Sequence, residues 1–162
     1  MIIWPKGVPI FLNTVLSVRS RCNLLIGSLA DKNYSFMGYC LKVEKLKENA
    51  RELADKLENE EVEAALIAPA WPVCNQSVGL IARELEQKDI STVTLNMFLD
   101  IAKKVIPPRT IHINFPFGAP FGDPNNRSIQ LEVIRESLSM LDKSKKPGEI
   151  KKLPFDWRDE LD

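Results

Sequence analysis

The sequence predicts an α/β domain: a three-layer, open, mainly parallel sheet with helices on both faces. Three observations carry this expectation. Helical and strand-like patterns alternate between Glu44 and Leu141. The strand-like runs are short and apolar or β-branched, as strands covered on both faces are. The helical segments between them have the length of crossovers joining neighbouring parallel strands, which are right-handed as a rule.

The elements follow in order. Glu44 to Glu58 is helical, with Leu46, Ala50, Leu53, Ala54 and Leu57 on one apolar stripe. Glu63 to Ala68 is a short apolar run closed by Pro69 and reads as a buried strand. Gln76 to Gln87 is a second helix, with Val78, Ile81 and Leu85 inward. Ile90 to Leu95 is β-branched and strand-like. Met97 to Val105 is a short helix stopped by Pro107 and Pro108. Thr110 to Phe115 is a third strand. A Gly/Pro-rich loop from Pro116 to Asn126 leads into a last helix, about Arg127 to Leu141, with Leu131, Ile134, Leu138 and Leu141 inward.

Residues 1–142 are expected to form one α/β domain, truncated at its N-terminal side. Residues 143–162 are expected to be a polar linker and a docking tail anchored by Leu153-Pro-Phe-Asp-Trp157. Met1 to Val18 reads either as a buried first strand or as the edge of a truncated domain.

The chain has 162 residues, 44% of them hydrophobic and 27% charged, which suits one globular domain rather than two. A domain of this size buries roughly 68–70% of its unfolded surface, so its stability needs no metal or disulfide. Twenty-two basic residues balance 22 acidic ones. Zero net charge excludes a strong global field for nucleic acid or an anionic membrane. The stretch from Gly7 to Val18 is too short to span a bilayer and has no basic flank or cleavage site of a secretory signal. Three cysteines, Cys22, Cys40 and Cys74, make an odd count that argues against a disulfide framework and for a reducing, cytoplasmic setting. One histidine and no C-x-x-C pair argue against zinc.

Ligands of open α/β sheets bind beyond the carboxyl ends of the strands. Three loops leave strands at that edge: Ala68 to Ser77, Asn96-Met97, and Pro116 to Asn126. The first holds Cys74, between a strand end and a helix N-terminus, with Trp71 as a candidate cover and Asn75 or Ser77 as candidate caps. Helix N-termini favour a thiolate, the nucleophilic form, so Cys74 is a candidate nucleophile; the alternative is a small buried apolar side chain. The third loop, with Gly118 and Gly122, is either a pocket wall opposite Cys74 or a rigid turn. It is neither a dinucleotide fingerprint nor a P-loop. His112, between Ile111 and Ile113, reads as a structural residue in or near the core. Ser77 has no Gly-x-Ser-x-Gly context, which disfavours a serine hydrolase.

With Cys74 located, the chain resembles the B-component family of the glycine, sarcosine, betaine and D-proline reductases. The ordered stretches that carry the resemblance begin with Ile26-Gly-Ser-Leu-Ala30, Tyr34-Ser-Phe-Met-Gly38 and Val62-Glu-Ala-Ala-Leu-Ile-Ala-Pro69. Cys74-Asn-Gln-Ser-Val-Gly79, Glu84-Leu-Glu86 and Ile90-Ser-Thr-Val93 follow. Arg109, Phe115-Pro-Phe-Gly118, Gly122-Asp-Pro124 and Gln130 complete the set. In that family selenocysteine or cysteine stands at the position of Cys74.

The resemblance implies a thiol-dependent oxidoreductase subunit that cleaves a C–N bond reductively. Cys74 would be its nucleophile or redox centre. Asn75, Gln76, Ser77, Gly118, Gly122 and Asp123 would contact a small amine or amino-acid substrate, with no metal. No cofactor bound by this chain is implied. A pyruvoyl group on a partner subunit, other reductase subunits and a thioredoxin-like dithiol donor are.

Two departures from the family stand out. Many members carry a second cysteine three positions after the reactive one, where this chain has Ser77. The chain is also much shorter than full B components and is expected to lack their N-terminal half. Two readings of other classes remain: a cysteine racemase with Cys40 facing Cys74 across a pocket, and a non-catalytic module that binds a partner through the C-terminal tail or a sheet edge.

Overall fold

The computed structural model describes residues 30, 32, 34–40, 42–124, 126–144 and 146–157. The expectations for Met1 to Val18 and for Cys22 lie outside these residues. The elements in chain order are α1 (Val43–Asn59), β1 (Ala64–Ile67), α2 (Pro72–Glu86), β2 (Ser91–Asn96), α3 (Leu99–Val105), β3 (Arg109–Asn114), α4 (Arg127–Lys143) and β4 (Glu149–Asp156). The four strands form one parallel sheet in the order β1-β2-β3-β4. Among the described residues no helix is long and apolar enough to cross a membrane.

Strand alternation divides the core into two layers. Ala65 and Ile67 of β1 face the side covered by α1 and α2, and pack with Leu46, Ala50, Leu53, Ala54, Leu57, Val78, Ile81 and Leu85. On the other side Leu66, Val93, Leu95, Ile111 and Ile113 pack beneath Ile129, Val133, Ile134 and Met140 of α4. The result is a three-layer sandwich with helices on both faces.

This arrangement departs from uniform right-handed crossovers. In a sheet ordered β1-β2-β3-β4, connections of one hand would put every connecting helix on one face. Helices α2 and α3 share a face, and α4 covers the other. The β3–α4–β4 connection therefore has the opposite hand to the two before it. Its physical benefit is the burial of Val93, Leu95, Ile111 and Ile113, which α1 to α3 leave uncovered.

The segment expected to be a linker and tail contains a strand. Glu149 to Asp156 pairs with β3 in parallel register, Thr110 opposite Ile150 and His112 opposite Lys152, with a register irregularity between His112 and Asn114. Its aromatic end docks on this domain: Phe155 and Trp157 pack against the α4-side core, and the Trp157 ring meets Phe115 edge-on at 6.3 Å. Lys151 reaches Glu136 of α4. β4 stands at the sheet's edge. There Pro154 is tolerated and lysines discourage further pairing.

The α4 face also differs from expectation. Ile129, Gln130, Val133, Ile134, Ser137 and Met140 are buried, while Leu131, Leu138 and Leu141 are only partly covered. Two polar residues take part in the buried stripe. The Ser137 hydroxyl donates to the Val133 carbonyl at 2.7 Å, and Gln130 Nε2 donates to Asp123 O at 2.6 Å.

At the amino edge of the sheet Glu86 gathers three donors on one carboxylate oxygen. Thr92 N lies at 2.7 Å, Thr92 Oγ1 at 2.8 Å and Arg109 Nη1 at 2.6 Å. This cluster ties the end of α2 to the starts of β2 and β3, far from the carboxyl edge where ligands bind.

Candidate functional site

Pro72 opens α2, so the helix begins four residues earlier than its apolar spacing suggests. Pro suits the first helical position because that N–H has no intrahelical acceptor. Cys74 is thereby the third residue of the helix, inside its first turn rather than in the loop before it. The N-cap is Trp71, whose side chain makes no capping bond and is 62% exposed. Asn75 and Ser77 do not cap. Asn75 Nδ2 donates back to Trp71 O at 2.9 Å, and the Ser77 hydroxyl lies 3.3 Å from Val73 O.

Asn75 is fully buried and joins two loops. Its Oδ1 accepts from Met97 N at 2.9 Å, and its carbonyl accepts from Asn96 Nδ2 at 3.2 Å. Asn96 Oδ1 in turn accepts from Phe98 N at 2.7 Å. The start of α2 is thus locked to the turn that follows β2.

Gly38 lies directly over Cys74. A Cβ built on Gly38 would stand 2.6 Å from Cys74 Sγ, 3.1 Å from its Cβ and 3.2 Å from its Cα. The Ser77 hydroxyl donates to the Gly38 carbonyl. Only glycine fits this approach. Gly38→Ala should lift the segment from the helix, cost about 1–3 kcal/mol as an overpacked contact does, and speed alkylation of Cys74. Unchanged stability together with an unchanged alkylation rate would refute the contact.

The geometry around β2 and β3 has a further consequence. The chain leaves β2 for α3 on one face and leaves β3 for α4 on the other. Such a divergence opens a crevice at the carboxyl ends of an open α/β sheet. Phe98, after β2, and Phe117, after β3, meet over this place with ring centroids 5.0 Å apart. Gly118 N donates to Ala70 O at 2.8 Å, joining the loop after β3 to the loop after β1. The three loops expected at the carboxyl edge do converge.

The candidate substrate residues separate by exposure. Gln76 and Gly118 are exposed, and nothing stands within 4 Å of a Cβ built on Gly118. Asn75 and Ser77 are buried in the bonds just described. Gly122 is buried at φ +100°, with Ile129 2.8 Å from its Cβ position, where it turns the chain into α4. Asp123 is half-buried, and its carbonyl accepts from Gln130 and from Asn126 N. Asn126 caps α4 through Oδ1 to Ile129 N at 3.1 Å.

His112 is buried on the α2–α3 side of β3, as a structural histidine would be. Its Nδ1 lies 3.0 Å from Asn96 O, and a carbonyl only accepts, so Nδ1 carries the proton. Its pKa is held below the ordinary 6.5 chiefly by burial; the Asn96 bond opposes this, and Lys152 and Lys103 add smaller downward pushes. The unfolded chain therefore takes up this proton first as pH falls. The contribution to stability is complete above pH 6.5 and declines as pH drops from there towards the folded pKa. Denaturation midpoints at about pH 7.5 and about pH 5.5 should show this loss. A His112→Gln variant should show less of it, and equal loss in both proteins would remove His112 as the cause.

Comparison with known proteins gives two relatives. Over 133 residues the chain is 29% identical to D-proline reductase subunit gamma of Acetoanaerobium sticklandii, covering 82% of this chain and 55% of that protein. The chain is a relative of the reductase B components. A second B-component relative is glycine reductase complex component B subunit gamma of Symbiobacterium thermophilum, 25% identical over 123 residues, which are 72% of this chain and 28% of that protein. The chain thus spans about half the length of the first B-component relative and under a third of the second. No family model matches it, and no solved structure does.

Proposed function

We propose that this chain is a subunit of a thiol-dependent reductase that cleaves a C–N bond of a small amine or amino acid, with Cys74 as its nucleophile. The observation that carries the reading is the position of Cys74: the first turn of α2, half-buried under Gly38, at the carboxyl edge of the sheet. First-turn N–H groups and the helix dipole favour negative charge near a helix N-terminus. The kinship to reductase B components supports the same chemistry and supports other reductase subunits as partners.

In this reading the Cys74 thiolate attacks the carbon that bears the amine, the C–N bond breaks and the amine leaves with a proton from solvent. One thiol of a thioredoxin-type dithiol donor then attacks Cys74 Sγ, the S–C bond breaks and the carbon takes a proton. The donor's second thiol frees Cys74 as the donor closes to a disulfide. The pyruvoyl group that the resemblance places on a partner subunit would withdraw electrons at the substrate's amine end. The open space beside Gly118 fits the approach of a group carried by another chain. Gln76 and Gly118 are the substrate contacts this reading retains at the surface. Asn75 and Ser77 hold the helix start, Gly122 shapes the loop, and Asp123 O anchors Gln130. The setting is cytoplasmic, where dithiol donors stay reduced.

Competitive alkylation tests the reading. With iodoacetamide at neutral pH, Cys74 should react at least about tenfold faster than Cys22 and Cys40. Equal, slow modification of all three thiols would overturn it.

A further inference from the structure

Ser77 stands three residues after Cys74, about one turn further along α2. Its hydroxyl is committed to the Gly38 carbonyl. That bond holds Gly38, two residues before Cys40, against Cys74. Residues 34–40 alternate between exposed Ser35, Met37 and Tyr39 and covered Tyr34, Phe36, Gly38 and Cys40. This is the period of an extended chain with one face on the protein. Tyr34, Phe36 and Cys40 pack against the α1–α2 core.

The segment runs from one end of α1 to the other. The Tyr34 hydroxyl donates to Glu60, just past the C-terminus of α1, at 2.5 Å. Cys40 Sγ donates to the carbonyl of Lys42, the N-cap of α1, at 3.2 Å. The N-terminus of α1 and the N-terminus of α2 both lie at the carboxyl edge of β1, because β1 runs from the end of α1 to the start of α2. Gly38 touches Cys74, and Cys40 is two residues further along on the same face. Two residues of extended chain span about 7 Å.

We propose that Cys40 is the resolving thiol of Cys74, closing a Cys40–Cys74 disulfide. The proposal rests on Cys74 being the reactive thiol. In the first step the Cys74 thiolate attacks the S–S bond of a disulfide; a Cys74 mixed disulfide forms and one thiolate leaves. In the second, Cys40 loses its proton to solvent and attacks Cys74 Sγ. The Cys40–Cys74 bond forms and the second thiolate leaves. Two protein thiols are oxidised and one external disulfide is reduced to two thiols. A disulfide needs Cα atoms within about 7 Å; the 34–40 segment would reach this by sliding along the α1–α2 groove, giving up the Ser77–Gly38 and Cys40–Lys42 bonds. The segment is in no sheet ladder to oppose this slide.

The test uses 5,5′-dithiobis(2-nitrobenzoate) on the full chain with Cys22→Ser, with and without Cys40→Ser, read by released thionitrobenzoate and by intact mass. The Cys22→Ser protein should release two equivalents and end as a monomer that has lost two hydrogens and carries no adduct. The Cys22→Ser/Cys40→Ser protein should release one equivalent and keep the adduct on Cys74, with a lifetime longer by ~100-fold, the gain expected of a tethered over a free thiol. A lasting adduct on Cys74 in the protein that retains Cys40, or a covalent dimer, would overturn the inference and leave the reactive Cys74 standing. An unreactive Cys74 in the double variant would overturn both.

Discussion

Replacing Cys74 with serine is expected to abolish thiol-dependent turnover while leaving the fold in place. Sulfur and oxygen differ little in volume at this half-buried position, but they differ greatly as nucleophiles. An ordinary thiol supplies a few per cent of thiolate at neutral pH, and a serine hydroxyl supplies essentially none. The N–H groups of the α2 first turn would then face a neutral oxygen with no charge to stabilise. Turnover of a small amine with a dithiol donor, measured on the chain together with its partner subunits, should fall to background. The denaturation midpoint should correspond to a change below about 1 kcal/mol. Cys22→Ser should retain most of the activity. The opposite pattern would sink the proposed chemistry: unfolding by several kcal/mol, with a wild-type thiol that resists alkylation until denaturant is added. Kinship with the reductases would then report a shared fold rather than a shared reaction.

The second large effect is expected at Asn75. Truncation to alanine removes the acceptor of the buried Met97 N–H and the donor to Trp71 O in one change. A buried donor left without a partner costs about 1–3 kcal/mol, and the void adds to it. Asn75→Ala should therefore lose about 2–3 kcal/mol of stability in denaturant titration and loosen the first turn of α2 around Cys74. Asn75→Asp keeps the acceptor but buries a charge, and should not rescue. If Asn75→Ala instead raised KM with an unchanged denaturation midpoint, its role would be substrate contact rather than support.

The parts of the fold legible in the sequence are those where periodicity and burial coincide. The α1 stripe of Leu46, Ala50, Leu53, Ala54 and Leu57 is buried at every position. Strands β1, β2 and β3 lie within a residue or two of their apolar runs. β4 was illegible because an edge strand needs only one covered face. Glu149, Lys151 and Lys152 disguise it, and Pro154 looks like a breaker. The α4 face was misjudged because Gln130 and Ser137 satisfy their polar groups locally and can take buried positions that apolar counting assigns to leucine.

At the site, Cys74 and the converging loops were legible from the order of strand, proline and helix. The cover that Gly38 provides was not. It joins residues 36 positions apart in sequence, and the signal available was a glycine flanked by exposed apolar side chains. The roles of Asn75 and Ser77 were inverted for a related reason. Short polar side chains in a first turn look like caps, but once Pro72 starts the helix they fall past the capping position.

The strand order also bears on how the chain is made. A sheet that runs β1-β2-β3-β4 in both space and sequence grows in the order in which a ribosome delivers it. Among the described strands, each new one finds its earlier neighbour already in place. Crossovers between adjacent strands keep the closing loops short, which limits the entropy cost of each closure. The growing edge advances by one strand at a time, and β4, the last of the described strands, carries lysines and a proline that discourage further pairing. During synthesis the border of the described sheet thus advances from β1 to β4.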